Sequence, residues 1–303
     1  MKILPDNKIL LAGHCFIATN VGTQQQDTSG FGFCAMRLMP DGSLDASFGG
    51  NSFTVLHPFV TTPFTYTMPL GTVYYDSNSN GSDGEGETGA NAVDTALSGD
   101  IILAGETATQ RPEGGQINYA EVLRLNSSGA FINHTLVSDF VDPMGSRINF
   151  PREFDAVGIL SDGKVIAVGY FGSNADTAAY SNRMIMTRIA IDGSVETTYE
   201  NPEVNAIANA YSVTFTRSNK ILVGGEFRYF GGSPQGGPRL YRFNGDFTPD
   251  TTFGTNGKVS YCNPGNIGVG ECTARYASYV NAQSIDSRRD SVGRKNPRSD
   301  GKS

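Results

Sequence analysis

The chain of 303 residues contains no tryptophan, three histidines and four cysteines, and each scarcity removes a class of function. His14, His57 and His134 occupy unrelated contexts, and there is no HExxH, no G-x-S-x-G and no phosphate-binding glycine loop, which argues against the common zinc, serine and nucleotide chemistries. Cys15, Cys34, Cys262 and Cys272 contain no CxxC spacing, so a zinc knuckle or a dithiol redox motif is excluded. No apolar run reaches the roughly twenty residues of a membrane helix, and no membrane span is expected. The opening "MKILPDNKILLAGHC" places Leu-Ala-Gly near Cys15. His14 intervenes, however, and Pro5, Asp6, Asn7 and Lys8 interrupt the apolar stretch, so no signal peptide is read in this chain. The net charge is −7, but from Ser284 onward six Lys/Arg face three Asp/Glu. The remaining body is therefore acidic, which argues against nucleic acid as a partner.

What is abundant points one way. Thirty-seven glycines and fourteen prolines, with many Val, Thr, Ser and aromatic residues, describe short strands joined by tight turns, an all-β chain. A motif then recurs with a shared final glycine: "DNKILLAG" ends at Gly13, "SGDIILAG" at Gly105, "SDGKVIAVG" at Gly169 and "SNKILVGG" at Gly225. A fifth, degenerate copy ends at Gly293. Downstream of each clear copy an arginine sits in a short strand: Arg37, Arg124, Arg188 and Arg242. A turn follows, then "LDASFG" from Leu44, "VETTY" from Val195 or "PDTTFG" from Pro249, expected as the last strand. Upstream, "NAVDTAL", "DAVGIL" and "YSVTFT" alternate apolar and polar residues, the period of a half-buried strand. One unit of about sixty residues is thus four short antiparallel strands, the blade of a β-propeller.

The pattern resembles the delta-60 repeat family of bacterial propeller-like proteins, whose units read approximately DGK-I-L-apolar-G, then Arg-Leu, then DGSLD-x-SFG. The resemblance runs to about Thr273; the second unit departs from it, with Ile132 where the others carry Asp45, Glu196 and Asp250. It implies a propeller fold and a surface or secreted setting, and no activity. The expected organisation is a repeat domain over 1–284, with an insertion at about 54–90, and a basic, disordered tail over 285–303. A strand near Tyr279 to Ser284 is expected to pair with Lys8 to Ala12 and close a four-bladed ring; the alternative is a piece of a five- to seven-bladed propeller.

Several residues carry candidate chemistry. "DSNSNGSDGEGE" fits a calcium loop, with Asp76, Asn78 and Asn80 as oxygen donors, the Ser82 carbonyl and Glu87 as further ligands; the competing reading is a solvated insertion. Calcium is the one cofactor the sequence suggests. Cys262 with Cys272 and Cys15 with Cys34 are candidate disulfides, which suit an oxidising compartment. Arg37, Arg188 and Arg242 each have an acid eight residues on, Asp45, Glu196 and Asp250, and are expected as structural ion pairs across a hairpin; Arg124 lacks that acid. Asn126 in "NSS" and Asn133 in "NHT" match glycosylation acceptors, relevant only in a eukaryotic secretory pathway. Ligand contacts are expected on the loops after each blade glycine: Gln24, Gln25, Arg111, Tyr170, Phe171, Asn174, Tyr180, Arg228 and Tyr229. The expected function is a non-enzymatic, extracellular or cell-surface module that binds a carbohydrate or protein ligand. A secreted carbohydrate-active enzyme with paired carboxylates, or a spacer or adhesin fragment, are the alternatives.

Overall fold

The computed structural model describes residues 1–19, 27–55, 64–75, 88–110, 116–137, 152–172, 182–202, 206–229 and 236–260, and these contain strands and turns but no helix. The first sheet has the order β1 (Lys2–Ile3), β2 (Ile9–Thr19), β3 (Asp27–Leu38) and β6 (Thr72–Tyr75), with a separate hairpin of β4 (Ser52–Val55) and β5 (Phe64–Thr67) inserted before its last strand. The second comprises β7 (Gly89–Thr95), β8 (Ile101–Gln110), β9 (Gln116–Leu125) and β10 (Phe131–Val137). The third comprises β11 (Arg152–Ile159), β12 (Val165–Phe171), β13 (Arg183–Ile189) and β14 (Val195–Glu200), and the fourth β15 (Ala206–Phe215), β16 (Ile221–Tyr229), β17 (Gly236–Phe243) and β18 (Lys258–Ser260). Four sequential, four-stranded antiparallel sheets are the blades of a β-propeller.

The apolar runs that end each motif are continuous because their strands are covered on both sides. On β12, Val165 and Ala167 join a core with Ile102, Ala104 and Val122 of the second blade, while Ile166 and Val168 join one with Ala208, Val223 and Phe243 of the fourth. A third core links the first two blades through Leu10, Phe33, Phe48, Leu103 and Leu123. The DGK-type segments are the turns that feed these strands. Asp162 accepts the Lys164 amide at 3.1 Å, and Gly163 and Gly99 have φ of 84° and 89°. Asn7 and Asn219 reach the same left-handed region at 65° and 58°, which asparagine tolerates better than other side chains.

The repeated glycine has a steric cause. Each long inner strand breaks register with a bulge, between Ala90 and Ala92, Phe154 and Ala156, and Ala210 and Ser212. The bulge presses the inner strand's carbonyl onto the facing glycine. A Cβ at Gly105, Gly169 or Gly225 would lie 1.8, 2.0 or 1.9 Å from the oxygen of Gly89, Glu153 or Asn209. At Gly13, among the described residues, nothing approaches within 4 Å, because the pairing of β1 with β2 stops at Leu10. The expected closing strand at 279–284 lies outside the described residues, as does the tail.

Two expectations about strands need correction. "LDASFG" and "PDTTFG" are turns, not outer strands: Asp45 accepts the Ser47 amide and hydroxyl at 3.0 and 2.6 Å, and Gly49 and Gly50 take φ of 70° and 77°. The outer strands β6 and β18 come later. The insertion is also shorter than 54–90, since Thr72–Tyr75 completes the first blade and Gly89 opens β7.

The recurring arginine is a junction between blades. Arg37 binds Asp45 through Nε at 2.6 Å, and Lys8 of the DGK-type turn reaches the same oxygen at 2.9 Å. Glu196 lies 2.9 Å from Arg188 and 2.6 Å from Lys164; Asp250 lies 2.8 Å from Arg242 and 3.5 Å from Lys220. In the second blade Ile132 replaces the acid, and Asp100, standing where the others have lysine, supplies it at 2.8 Å from Arg124. Arg37, Arg124 and Arg188 then donate Nη1 to a turn carbonyl of the next blade, Ser127, Gly163 and Gly245, at 2.5, 3.3 and 2.5 Å. Serine and threonine bonds come first in holding Asp45 below the carboxylate range and Asp250 at about 2, with the neighbouring cations assisting.

Two stability predictions follow from this packing. In urea unfolding, Gly169→Ala costs about 1–3 kcal/mol through overpacking, whereas Gly245→Ala, whose nearest neighbour stands at 3.9 Å, changes stability by less than about 0.5 kcal/mol. Asp100→Ala leaves the buried Arg124 without its acid and costs about 3 kcal/mol; the double change Asp100→Lys with Ile132→Asp, which rebuilds the arrangement of the other blades, recovers most of that loss.

Candidate functional site: an acidic central channel

The inner strands of all four blades line one cavity of about 480 Å³, with Lys2 from β1 and the adjoining Met1, 91–94 from β7, 155–159 from β11 and 211–215 from β15. The bulges decide what this channel displays. An extra residue turns its side chain out of the paired ladder, and the three bulged residues, Asn91, Asp155 and Tyr211, all line the cavity. Lys2 is held by Asp94 at 2.6 Å.

Asp155 is the chemically distinct member. Its Oδ2 is buried without a hydrogen-bond partner among the described residues. Burial is the largest cause that raises its carboxyl to about 8; the Glu153 and Glu106 carboxylates add to it. A carboxylate withdrawn from water beside two others is expensive to ionise, which favours the protonated form of Asp155. Glu106 is 4% exposed and accepts the Asn118 amide at 3.0 Å. Burial, then Glu153, raises the Tyr170 hydroxyl above its ordinary value, and burial likewise raises that of Tyr211. Tyr211 donates to Glu226 at 3.1 Å and accepts the Asn209 amide at 2.9 Å, while that amide also donates to Glu226 at 3.1 Å.

Of the loop candidates, Tyr170 belongs to this acidic group. Phe171 is 7% exposed and packs in the core between the second and third blades, so it is unavailable to a ligand. Gln24, Gln25, Arg111, Asn174 and Tyr180 lie outside the described residues, and Arg228 and Tyr229 are placed by backbone alone near the end of β16. The calcium-loop residues Asp76, Asn78, Asn80, Ser82 and Glu87 also lie outside them, as do Cys262 and Cys272. Cys15 and Cys34 form a disulfide across β2 and β3 with Cα atoms 5.8 Å apart. The Asn126 and Asn133 side chains are engaged in the fold, Asn126 accepting the Ser128 and Ala130 amides and Asn133 donating to the Ile191 carbonyl. Among the described residues no group of three or more His, Cys, Asp or Glu is spaced to hold a metal ion.

Reading the sequence for motifs missed Asp155, Glu153, Glu106, Tyr211 and Glu226. The signal was nevertheless present: aligned on the blade glycine, the first residue of "NAVDTAL", "DAVGIL" and "YSVTFT" is the bulged position each time. A second cluster lies on the outer strand of the second blade. His134 meets the fully buried Glu121 at 2.9 Å beside a stacked Tyr75–Phe131 pair with centroids 4.8 Å apart. The Glu121 hydrogen bond is the main cause of a raised His134 value.

The architecture is that of a β-propeller. Three segments, residues 4–48, 160–199 and 217–253, match the family described as "Domain of unknown function (DUF5122) beta-propeller", so the chain carries a propeller-type repeat. Among solved structures it is similar to a protein of unknown function from Dyadobacter fermentans DSM 18053, at 13% identity and a TM-score of 0.46, over 87% of this chain and 64% of that one. It is also similar to a protein of unknown function from Bacteroides caccae, at 14% identity and a TM-score of 0.23, over 64% of this chain and 73% of that one. The chain thus spans less than two thirds of the Dyadobacter protein. No curated protein matches it.

The two perturbed groups set a common pH dependence. Asp155 binds its proton more tightly folded than unfolded, so its contribution to stability falls as pH rises from about 4 to about 8. The contribution of His134 is complete below about 6.5 and is lost as pH rises through its higher folded value. The thermal midpoint therefore falls between pH 6 and 8. Asp155→Asn raises it by a few degrees at pH 8 and by much less at pH 5, while His134→Gln flattens the His134 part of the slope; calorimetry across this range checks both.

Proposed function

We propose that this chain is a non-enzymatic, secreted or cell-surface binding module whose ligand enters the channel beside Asp155, with further contacts from the residues after the blade glycines. The observation that carries this reading is the Asp155 oxygen on the channel wall, buried and without a hydrogen-bond partner among the described residues. A carboxylate pressed among carboxylates lowers stability. Such groups concentrate at sites where their chemistry is used. The resemblance to delta-60 repeats supports a bacterial surface setting, and the Cys15–Cys34 disulfide suits an oxidising compartment. Calcium at the loop from Asp76 to Glu87 stays part of this proposal as a structural cofactor.

Screening the protein on glycan and peptide arrays tests the reading. Retention of a ligand without product formation is expected, and the retained signal disappears in Asp155→Asn. Release of products from a polysaccharide panel overturns the non-enzymatic assignment, and a ligand indifferent to Asp155→Asn overturns the channel as its site.

A further inference from the structure

Three unsatisfied atoms share one kind of chemistry, two of them on residues of the cavity wall, Asp155 and Ser212, and one on Asn209, whose amide bonds the wall residue Tyr211. Among the described residues, Asp155 Oδ2, Asn209 Oδ1 and Ser212 Oγ are each buried without a hydrogen-bond partner. Asn209 is 7% and Ser212 6% exposed, and Ser212 lies on the cavity wall next to Tyr211. The Asn209 amide nitrogen already donates to Tyr211 and Glu226, so the end left free is its carbonyl oxygen. Each of the three atoms offers oxygen lone pairs. Leaving such atoms buried and unpaired is costly, the more so beside charge.

The charge is equally one-sided. Asp155, Glu153 and Glu226 have no lysine or arginine partner among the described residues, and the one lysine on the cavity wall, Lys2, is taken by Asp94 at 2.6 Å. Carboxylates partly withdrawn from water call for a compensating positive charge. A divalent metal would need several carboxylates or imidazoles converging within coordination distance, and no such grouping occurs among the described residues. A neutral sugar hydroxyl brings further lone pairs and no charge.

We infer that the channel recognises a primary ammonium group, through the Asp155 carboxylate with Ser212 and Asn209 as the further acceptors. An ammonium carries three N–H donors and no acceptor, which matches three lone-pair sites, and its charge offsets the Glu153, Asp155 and Glu226 group. The cavity of about 480 Å³ has room for an amino-sugar ring or a lysine side chain, a volume in the ordinary range for small-ligand sites. This inference rests on the channel being the binding site, as proposed above.

Titration calorimetry with two matched pairs of probes tests it: glucosamine against N-acetylglucosamine, and Nα-acetyl-lysine amide against Nα,Nε-diacetyl-lysine amide. At least one ammonium probe binds roughly tenfold or more tightly than its acetylated partner, and Asp155→Asn, which stays folded, loses that affinity by roughly tenfold or more. Which ammonium probe binds identifies the source, amino sugar or lysine side chain. Equal binding within each pair, or binding unchanged by Asp155→Asn, overturns the inference. If the arrays yield a neutral ligand that Asp155→Asn abolishes, the channel reading stands and the ammonium assignment falls. If no ligand of either kind depends on Asp155, both fall.

Discussion

The fold depends on an ion pair repeated at the same place in every blade. In three blades an arginine on the third strand and a lysine from the DGK-type turn converge on the carboxylate of an acid just beyond the following turn, and in the second blade Asp100 of the DGK-type turn supplies that carboxylate to Arg124. Surface pairs of this composition stabilise little. Here Arg37 and Asp45 are nearly enclosed, at 9% and 5% side-chain exposure, and the guanidinium also sits over the Phe48 ring with 4.6 Å to its centroid. The planar, five-donor guanidinium binds its own acid with one edge and the neighbouring blade's turn with the other. That dual use sets how the first three blades meet the next. The apolar cores between blades are non-directional and could not fix that registry alone.

The second blade shows that the chain conserves the charge rather than the residue. With Ile132 in the acid's position, a lysine at 100 would have faced Arg124 with no acid between them. Asp100 removes that repulsion and replaces the missing partner. Two departures from the repeat that look like decay in isolation are one compensated exchange.

The bulges link the scaffold to the channel. A glycine on the second strand admits the inner strand's carbonyl, the inner strand bulges, and the bulged residue projects into the cavity. The steric requirement for glycine and the placement of Asp155 are thus one structural event. In the second and fourth blades the same position holds Asn91 and Tyr211, so the scaffold presents different chemistry at equivalent points without altering the packing behind it. The acidic group gathers where β11 and β15 stand side by side, with Glu106 and Glu226 joining from β8 and β16.

Much was legible in the residues themselves because repetition turns one chain into its own alignment. The all-β class, the sixty-residue unit, the turn at Asp162 to Lys164 and the partners of Arg37, Arg188 and Arg242 all follow from local spacing, since hairpin neighbours are close in sequence. The outer strands β6 and β18 escaped that reading, because the glycine turns before them resemble strand ends and only long-range pairing with β3 and β17 reveals them. The partner of Arg124 escaped it as well, lying twenty-four residues back across a hairpin. The sequence by itself determined the blades, through periodicity and turn chemistry that act over a few residues. Only the tertiary structure decided the channel, because Asp155, Glu106 and Tyr211 come from three blades. Their shared burial and mutual repulsion exist only once those blades stand around a common axis.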